Sequence, residues 1–268
     1  MRILLTSDLH GDLGGFEKYS ALLRTGHFDL GVVAGDLGDY NLTLREIGAT
    51  PGVAEDDLLE ELYDPEDTVE DLERRVQEYR QDPDTPLARA IRHKEDEIRS
   101  VLETARKHIV LVAGNHDLSD WASRGRIHNV HDRPFRYKGW NFVSYRYTRL
   151  EVSEEEEERQ LTAVAGRLTG TTVLVTHSPA LGTLDLSHSG RNIGSRPLCQ
   201  LVQRPEVALH LFGHVHASFG YDRNSANGSY EERRCFIGIG LPRTGRRARE
   251  RIEFSLIDPH NMALELTA

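Results

Sequence analysis

Five short apolar runs in this chain each stop on a side chain that can hold a metal ion or move a proton. "RILLTS" leads to Asp8-Leu9-His10, "LGVVA" to Gly35-Asp36, "HIVLVA" to Gly114-Asn115-His116-Asp117, "TTVLV" to Thr176-His177, and "ALHLF" to Gly213-His214-Val215-His216. Runs of this length bounded by turn residues read as buried strands. "NFVSY" near residue 142 and "CFIGIG" near residue 237 read the same way. Amphipathic stretches at residues 14 to 25, 154 to 168 and 196 to 203 lie between them, the second opening on Ser153 and Glu156 at capping-box spacing. Strands alternating with helices predict a layered α/β architecture. The glutamate run at 154 to 158 reads as a solvated helix N-terminus.

Residues 53 to 107 break the alternation. "DTVEDLERRVQEYR" and "TPLARAIRHKEDEIRSVLETARKH" carry helix-start signals around the turn "QDPDTP", which predicts a helical hairpin inserted into a single domain of 1 to 268. Residues 53 to 104 hold 18 acidic against 7 basic side chains, so the net charge of -10 belongs to this segment and the remainder is balanced. The chain's acidity therefore does not exclude an anionic substrate elsewhere. An apolar stripe of Leu58, Leu59, Leu62, Leu72, Val76 and Tyr79 needs a partner surface, so the insertion reads as a lid or as a homodimer contact. Cys199 and Cys235 form no C-x-x-C pair and suit a reducing compartment. With no signal-peptide core and no run of membrane-spanning length, a cytoplasmic protein without membrane contact is expected.

Each strand-end residue alone has an ordinary explanation as a turn former or a hydrogen-bonded side chain. Together they do not. The carboxyl ends of parallel strands gather around one crevice, and two aspartates and several histidines buried there without a cation would carry an electrostatic penalty of several kcal/mol per uncompensated charge. The cluster calls for metal. Residues i and i+2 of an extended segment point the same way, so His214 and His216 can address neighbouring ions.

This ordered set, D-x-H, G-D, G-N-H-D, H and G-H-x-H, resembles the calcineurin-like metallophosphoesterase superfamily over nearly the whole chain outside 53 to 107. The resemblance implies a two-layer mixed β-sandwich flanked by helices, in four layers α/β/β/α, carrying two divalent ions. It implies that Asp8, His10 and His216 hold one ion, that Asn115, His177 and His214 hold the other, and that Asp36 bridges them. Mixed oxygen and imidazole donors suit Mn²⁺, Fe or Zn²⁺, with manganese favoured. The chemistry implied is hydrolysis by attack of a metal-bridging hydroxide, with His116 as general acid. Asp117 would fix the His116 tautomer, or cap a turn.

The protein Ser/Thr phosphatases of this superfamily continue the second motif with an arginine, whereas this chain reads Gly35-Asp36-Leu37-Gly38-Asp39-Tyr40. The segment from His177 to His216, with His-x-Pro-x-x-Gly before a helix, looks instead like the small metallophosphoesterase-domain phosphodiesterases. That points to a small phosphodiester, a cyclic nucleotide among the candidates. In the polar loop after His177, the side chains of His188, Arg191, Asn192 and Arg196, together with Asn115, are candidates for substrate contact; a plain exposed loop is the alternative. The pair His128 and His131 reads as loop. A phosphomonoesterase and a non-catalytic metal scaffold remain alternatives, as does a nuclease drawing on the basic stretch at 243 to 251, although the acidic insertion argues against nucleic acid.

Overall fold

The computed structural model describes residues 1–38, 86–117, 121–131, 133–145, 154–187, 190–215, 220–222, 238–240, 252–258 and 261–266. Residues 53 to 85 of the expected insertion lie outside these, as do His188, His216 and the basic stretch at 243 to 251. The described strands are β1 (Arg2–Thr6), β2 (Leu30–Ala34), β3 (His108–Val112), β4 (Ile127–Asn129), β5 (Phe135–Tyr137), β6 (Trp140–Val143), β7 (Thr172–Val175), β8 (Val207–Phe212), β9 (Gly220–Asp222), β10 (Gly238–Gly240), β11 (Ile252–Asp258) and β12 (Asn261–Leu266). They form two six-stranded mixed sheets, in the orders β11-β12-β1-β2-β3-β4 and β5-β6-β7-β8-β10-β9.

The alternation of side chains along each strand builds the layers. Ile3 and Leu5 of β1, Val32 and Ala34 of β2, and Val110 and Val112 of β3 face the second sheet and pack with its Phe142, Val173, Val175, Leu209 and Leu211. The intervening Leu4, Val33, Ile109 and Leu111 face the other way, onto the buried stripe of helix α1 (Leu13–Thr25) and onto Ile98 and Leu102 of helix α2 (Pro86–Glu103). On the far side, Val143, Leu174 and Val207 pack under helices α3 (Glu154–Ala165) and α4 (Leu198–Val202). The result is the four-layer α/β/β/α sandwich. Strands β1 to β4 run parallel, as do β6, β7 and β8, so each sheet sends a set of carboxyl ends in one direction.

Gly31 shows how closely the layers fit. A Cβ there would run into the Tyr19 hydroxyl, which donates its hydrogen bond at 3.2 Å between the carbonyls of Leu4 and Val32. The second predicted helix of the insertion is present as α2, with proline at its first residue. Among the described residues, no helix is long and apolar enough to cross a membrane.

Three details depart from the sequence reading. Strands β11 and β12 form an unforeseen hairpin, and β12 pairs antiparallel with β1 in the middle of the first sheet. Residues 127 to 129 form the edge strand β4, so His128 does not sit in a loop. Its Nε2 meets His108 Nδ1 at 2.8 Å and its ring stacks on Phe135 at 3.8 Å. Burial, with His108 and Arg133 nearby, pushes His128 down to about 4. The glutamate run also does more than cap a helix, because Glu157 turns inward and is 2% exposed.

Candidate metal centre

Two loops of the first sheet reach the centre as a continuation of its ladder. Beyond the strand ends, Asp8 N–H donates to Gly35 O at 3.0 Å, His10 N–H to Asp36 O at 2.9 Å, and Gly11 N–H to Leu37 O at 2.7 Å. The loops therefore keep register where most would diverge. Asp8, His10 and Asp36 all adopt left-handed φ, at 56°, 47° and 49°, and His214 does the same at 74°. That region is sparsely populated by residues with a Cβ and persists where surrounding structure holds it, as at functional sites.

Strand-end glycines make room for the donors. A Cβ on Gly114 would collide with the Asp36 carboxylate, one on Gly35 with the His177 imidazole, and one on Gly213 with Ser7 and the Asp8 carboxylate. Each glycine thus clears space for a side chain arriving from a different strand. Donor atoms of Asp8, Asp36 and His177 lie within 4.8 Å of one another, and so do those of His10, Asp36 and His116. Asp36 belongs to both groups.

The second sheet supplies the imidazoles of His177 and His214. His177 Nδ1–H donates to Ala34 O at 2.9 Å, which directs Nε2 toward Asp36 Oδ2 at 3.3 Å and Asn115 Oδ1 at 3.0 Å. A ring nitrogen held by a main-chain carbonyl is the usual way to present the other to a metal. His214 N–H donates to both Asp8 oxygens at 3.2 and 3.1 Å, and its ring lies 5.0 Å from that of His177.

Electrostatics favour a cation. Burial alone would depress His177, but the carboxylates of Asp36 and Asp8 push it up to about 10. Asp36 in turn is held well below the usual carboxylate range, against its own burial, by His177 and His116. The cluster draws a proton into the place a metal ion would neutralise, and binding a metal would release it. A donor set of carboxylates, a carboxamide and imidazoles fits Mn²⁺, Fe or Zn²⁺.

His116 sits at the edge of this cluster, edge-on to His10 with ring centroids 4.8 Å apart, its own N–H donating to Asp36 Oδ1 at 2.8 Å. Asp117 accepts hydrogen bonds from three main-chain amides: Gly38 N at 2.6 Å, Gly114 N at 2.8 Å and Leu37 N at 3.2 Å. These tie the loop that carries Asp36 to the loop that carries Asn115, as a turn cap would. Burial and the neighbouring Asp36 push Asp117 up to about 6. Arg191, Asn192 and Arg196 are exposed on the loop after β7. Sequence reasoning missed Glu157, which lies in helical register with buried Leu161 and Val164. An acid on an apolar stripe was the available signal.

Residues 1–218 match the family model described as calcineurin-like phosphoesterase. A UPF0046 protein of Caenorhabditis elegans is 46% identical over 50 residues, a match that spans 19% of this chain and 17% of that relative's length. One solved crystal structure is similar at a TM-score of 0.53 and 12% identity, over 100% of this chain and 99% of that one. A dimetal phosphatase from Danio rerio gives a TM-score of 0.49 at 12% identity, over 90% of this chain and 87% of its own. At 12% identity the TM-score of 0.53 speaks to the fold alone.

Proposed function

Because the chain belongs to the calcineurin-like phosphoesterase family, we propose that it hydrolyses a small phosphodiester at a centre of two divalent ions, manganese favoured. The observation that carries this reading is Asp36: its carboxylate is shared by two donor groups that otherwise have no residue in common. A carboxylate shared in this way would help hold an ion at each group. Asp8 and His177 stand with Asp36 in one group and His10 and His116 in the other, whereas the resemblance sets Asp8 with His10; Asn115, His214 and His216 would complete the two sets, leaving His116 to act on the leaving oxygen. Ions held there supply Lewis acidity to the phosphoryl oxygens and lower the pKa of the attacking water.

The chain's own groups do the rest. His116 Nδ1 is buried, so Nε2 is the nitrogen that protonates the leaving oxygen. Asp36 accepts the His116 N–H and fixes where that residue stands. Arg191, Asn192 and Arg196, with His188 beside them in sequence, would meet the substrate's phosphate or base. The absence of a basic residue after Asp36 in Gly35 to Tyr40 favours a diester over the dianion of a monoester. A partner role for the acidic insertion, as a lid or a homodimer contact, belongs to the same proposal.

The test is turnover of bis-p-nitrophenyl phosphate and of a phosphomonoester panel by protein loaded with Mn²⁺, Fe²⁺, Zn²⁺ or Mg²⁺, with bound metal measured in parallel. Two equivalents of metal and a preference for diesters are expected. Tight metal binding without turnover of any ester would make the protein a scaffold, and a preference for monoesters would remove the diester assignment.

A further inference from the structure

The loop from Pro179 to Pro197 follows directly on the ligand His177, and its base is stitched shut. Leu181 N–H donates to Ser195 O at 2.9 Å, Ser195 N–H to Pro179 O at 2.8 Å, and Gly194 N–H to Asp185 Oδ2 at 3.1 Å. A Cβ on Gly194 would press on the main chain of Ala180 and Leu181 at 2.8 Å. At the centre of this base stands Ser195. Its Oγ accepts the Leu198 N–H at 3.1 Å, which starts α4, and donates to Glu157 Oε1, the same oxygen that receives the Tyr145 hydroxyl at 2.8 Å.

Glu157, Tyr145 and Ser195 are all buried, at 2%, 5% and 4% exposure. A carboxylate in such surroundings opposes folding by several kcal/mol unless its surroundings compensate. Two hydroxyl donors and a place near the N-terminus of α3 supply that compensation. Of the described glutamates in the run 155 to 158, Glu157 alone is buried. An apolar residue would satisfy the stripe of Leu161 and Val164 equally well, so the carboxylate has a separate task.

Resting on the phosphodiesterase reading above, we propose that Glu157 is a positioning residue for substrate binding: through Ser195 it holds the base of the 179–197 loop and so sets how Arg191, Asn192 and Arg196 meet the substrate. Its bonds to Ser195 and Tyr145 run to residues outside the candidate ligand set. His177 has its own anchor at Ala34 O, so the tether governs substrate affinity and leaves metal binding alone.

The experiment compares Glu157→Ala, Glu157→Gln, Ser195→Ala and Tyr145→Phe in full-length protein with Mn²⁺ and bis-p-nitrophenyl phosphate. Hydrogen exchange at the Leu181 and Ser195 amides is followed with and without metal. Glu157→Ala and Ser195→Ala are expected to raise KM roughly tenfold, with kcat within about threefold of wild type, metal content unchanged and amide protection lost. Glu157→Gln should restore KM and protection, because the amide oxygen can accept the same two hydroxyls. Tyr145→Phe should leave KM unchanged, since it keeps the Ser195 bond to Glu157 in place. Wild-type KM and protection in Glu157→Ala would overturn the proposal, and so would a joint fall of kcat and metal content. If Glu157→Ala fails to fold, Ser195→Ala decides. Inactivity of the wild type on every diester would sink the phosphodiesterase reading, while the exchange measurement would still decide the tether.

Discussion

The loops leaving the first sheet hold their candidate metal donors by main-chain bonds and close packing, whereas those leaving the second present imidazoles and then run into a long polar segment. Asp8, His10 and Asp36 sit on two loops that remain laddered to each other beyond the strand ends, in left-handed conformations. Asp117 ties the second of these loops to the one carrying Asn115. On the second sheet, His177 is anchored through its ring to Ala34 O and turned toward Asn115 and Asp36, and the 179–197 loop is held at its base by main-chain bonds backed by buried side chains. The difference separates two tasks. Oxygen donors that held ions together could not move by much, because ligand geometry is strict; a loop that met substrate could be tuned through side chains without disturbing them.

The strongest way to break this comparison is Asp36→Asn. Loss of the carboxylate shared by both donor groups should lower turnover by about 10³-fold or more and empty at least one metal position. Metal analysis on the purified variant checks it. Two equivalents of metal with near-normal turnover would show that the first sheet's loops are not the anchor.

Next in size is His116→Ala. Turnover should fall roughly 10²- to 10⁴-fold with both metals retained, the usual worth of a positioned general acid. The deficit should shrink for a nitrophenol leaving group relative to an alkoxide, because the better leaving group needs no proton. An equal deficit for both would remove His116 from that role.

Two glycines sharpen the contrast between the regions. Gly114→Ala drives a Cβ into the Asp36 carboxylate, so a loss of about 10- to 100-fold in metal affinity is expected, as for other changes that displace a ligand. Gly182 has φ +80° and nothing within 4 Å of an added Cβ. Gly182→Ala should therefore bring only about 1 kcal/mol of backbone strain, with metal affinity unchanged. Titration of the metal-free proteins with Mn²⁺ distinguishes the two.

The smallest effect at neutral pH belongs to His210. Its Nε2–H donates to Thr176 Oγ1 at 2.7 Å, since that hydroxyl itself donates to Ser178 O at 2.6 Å. Burial pushes the imidazole down to about 3. The folded protein therefore stays neutral there while the unfolded chain takes up a proton below its ordinary value of 6.5. The stability contributed by His210 is complete above about 6.5 and is lost progressively as pH falls toward 3. At pH 5 the deficit amounts to about 2 kcal/mol. His210→Gln keeps a donor for Thr176 without the titration, so denaturant unfolding should show it less sensitive than wild type between pH 6.5 and 5, with little difference at pH 7.5. A wild-type pH dependence in this variant would assign the acid sensitivity to other groups.

The strands that end in ligands were legible because their chemistry is local. An apolar run of five or six residues followed by glycine and a donor is visible in "HIVLVAGNHD" without knowing its neighbours, and a layered α/β plan followed from such runs alternating with amphipathic stretches, while the four-layer form was implied by the family resemblance. The C-terminal hairpin was less visible, although Met262, Leu264 and Leu266 alternate as a half-buried strand should. Nothing local says that this strand slots against β1, at the centre of the first sheet, because pairing is chosen by the whole set of strands that need partners.

By itself, the sequence determined which side chains would stand at strand ends, since period-two alternation and turn residues are properties of adjacent residues. Only the tertiary structure decided which groups those side chains meet. Asp117 reaches three amides 80, 79 and 3 residues away in sequence, and Glu157 receives a hydroxyl from Ser195, 38 residues on. Both carboxylates are buried, and a buried acid must find donors wherever the packing brings them. That requirement is set by solvent exclusion, which exists only once the layers have closed.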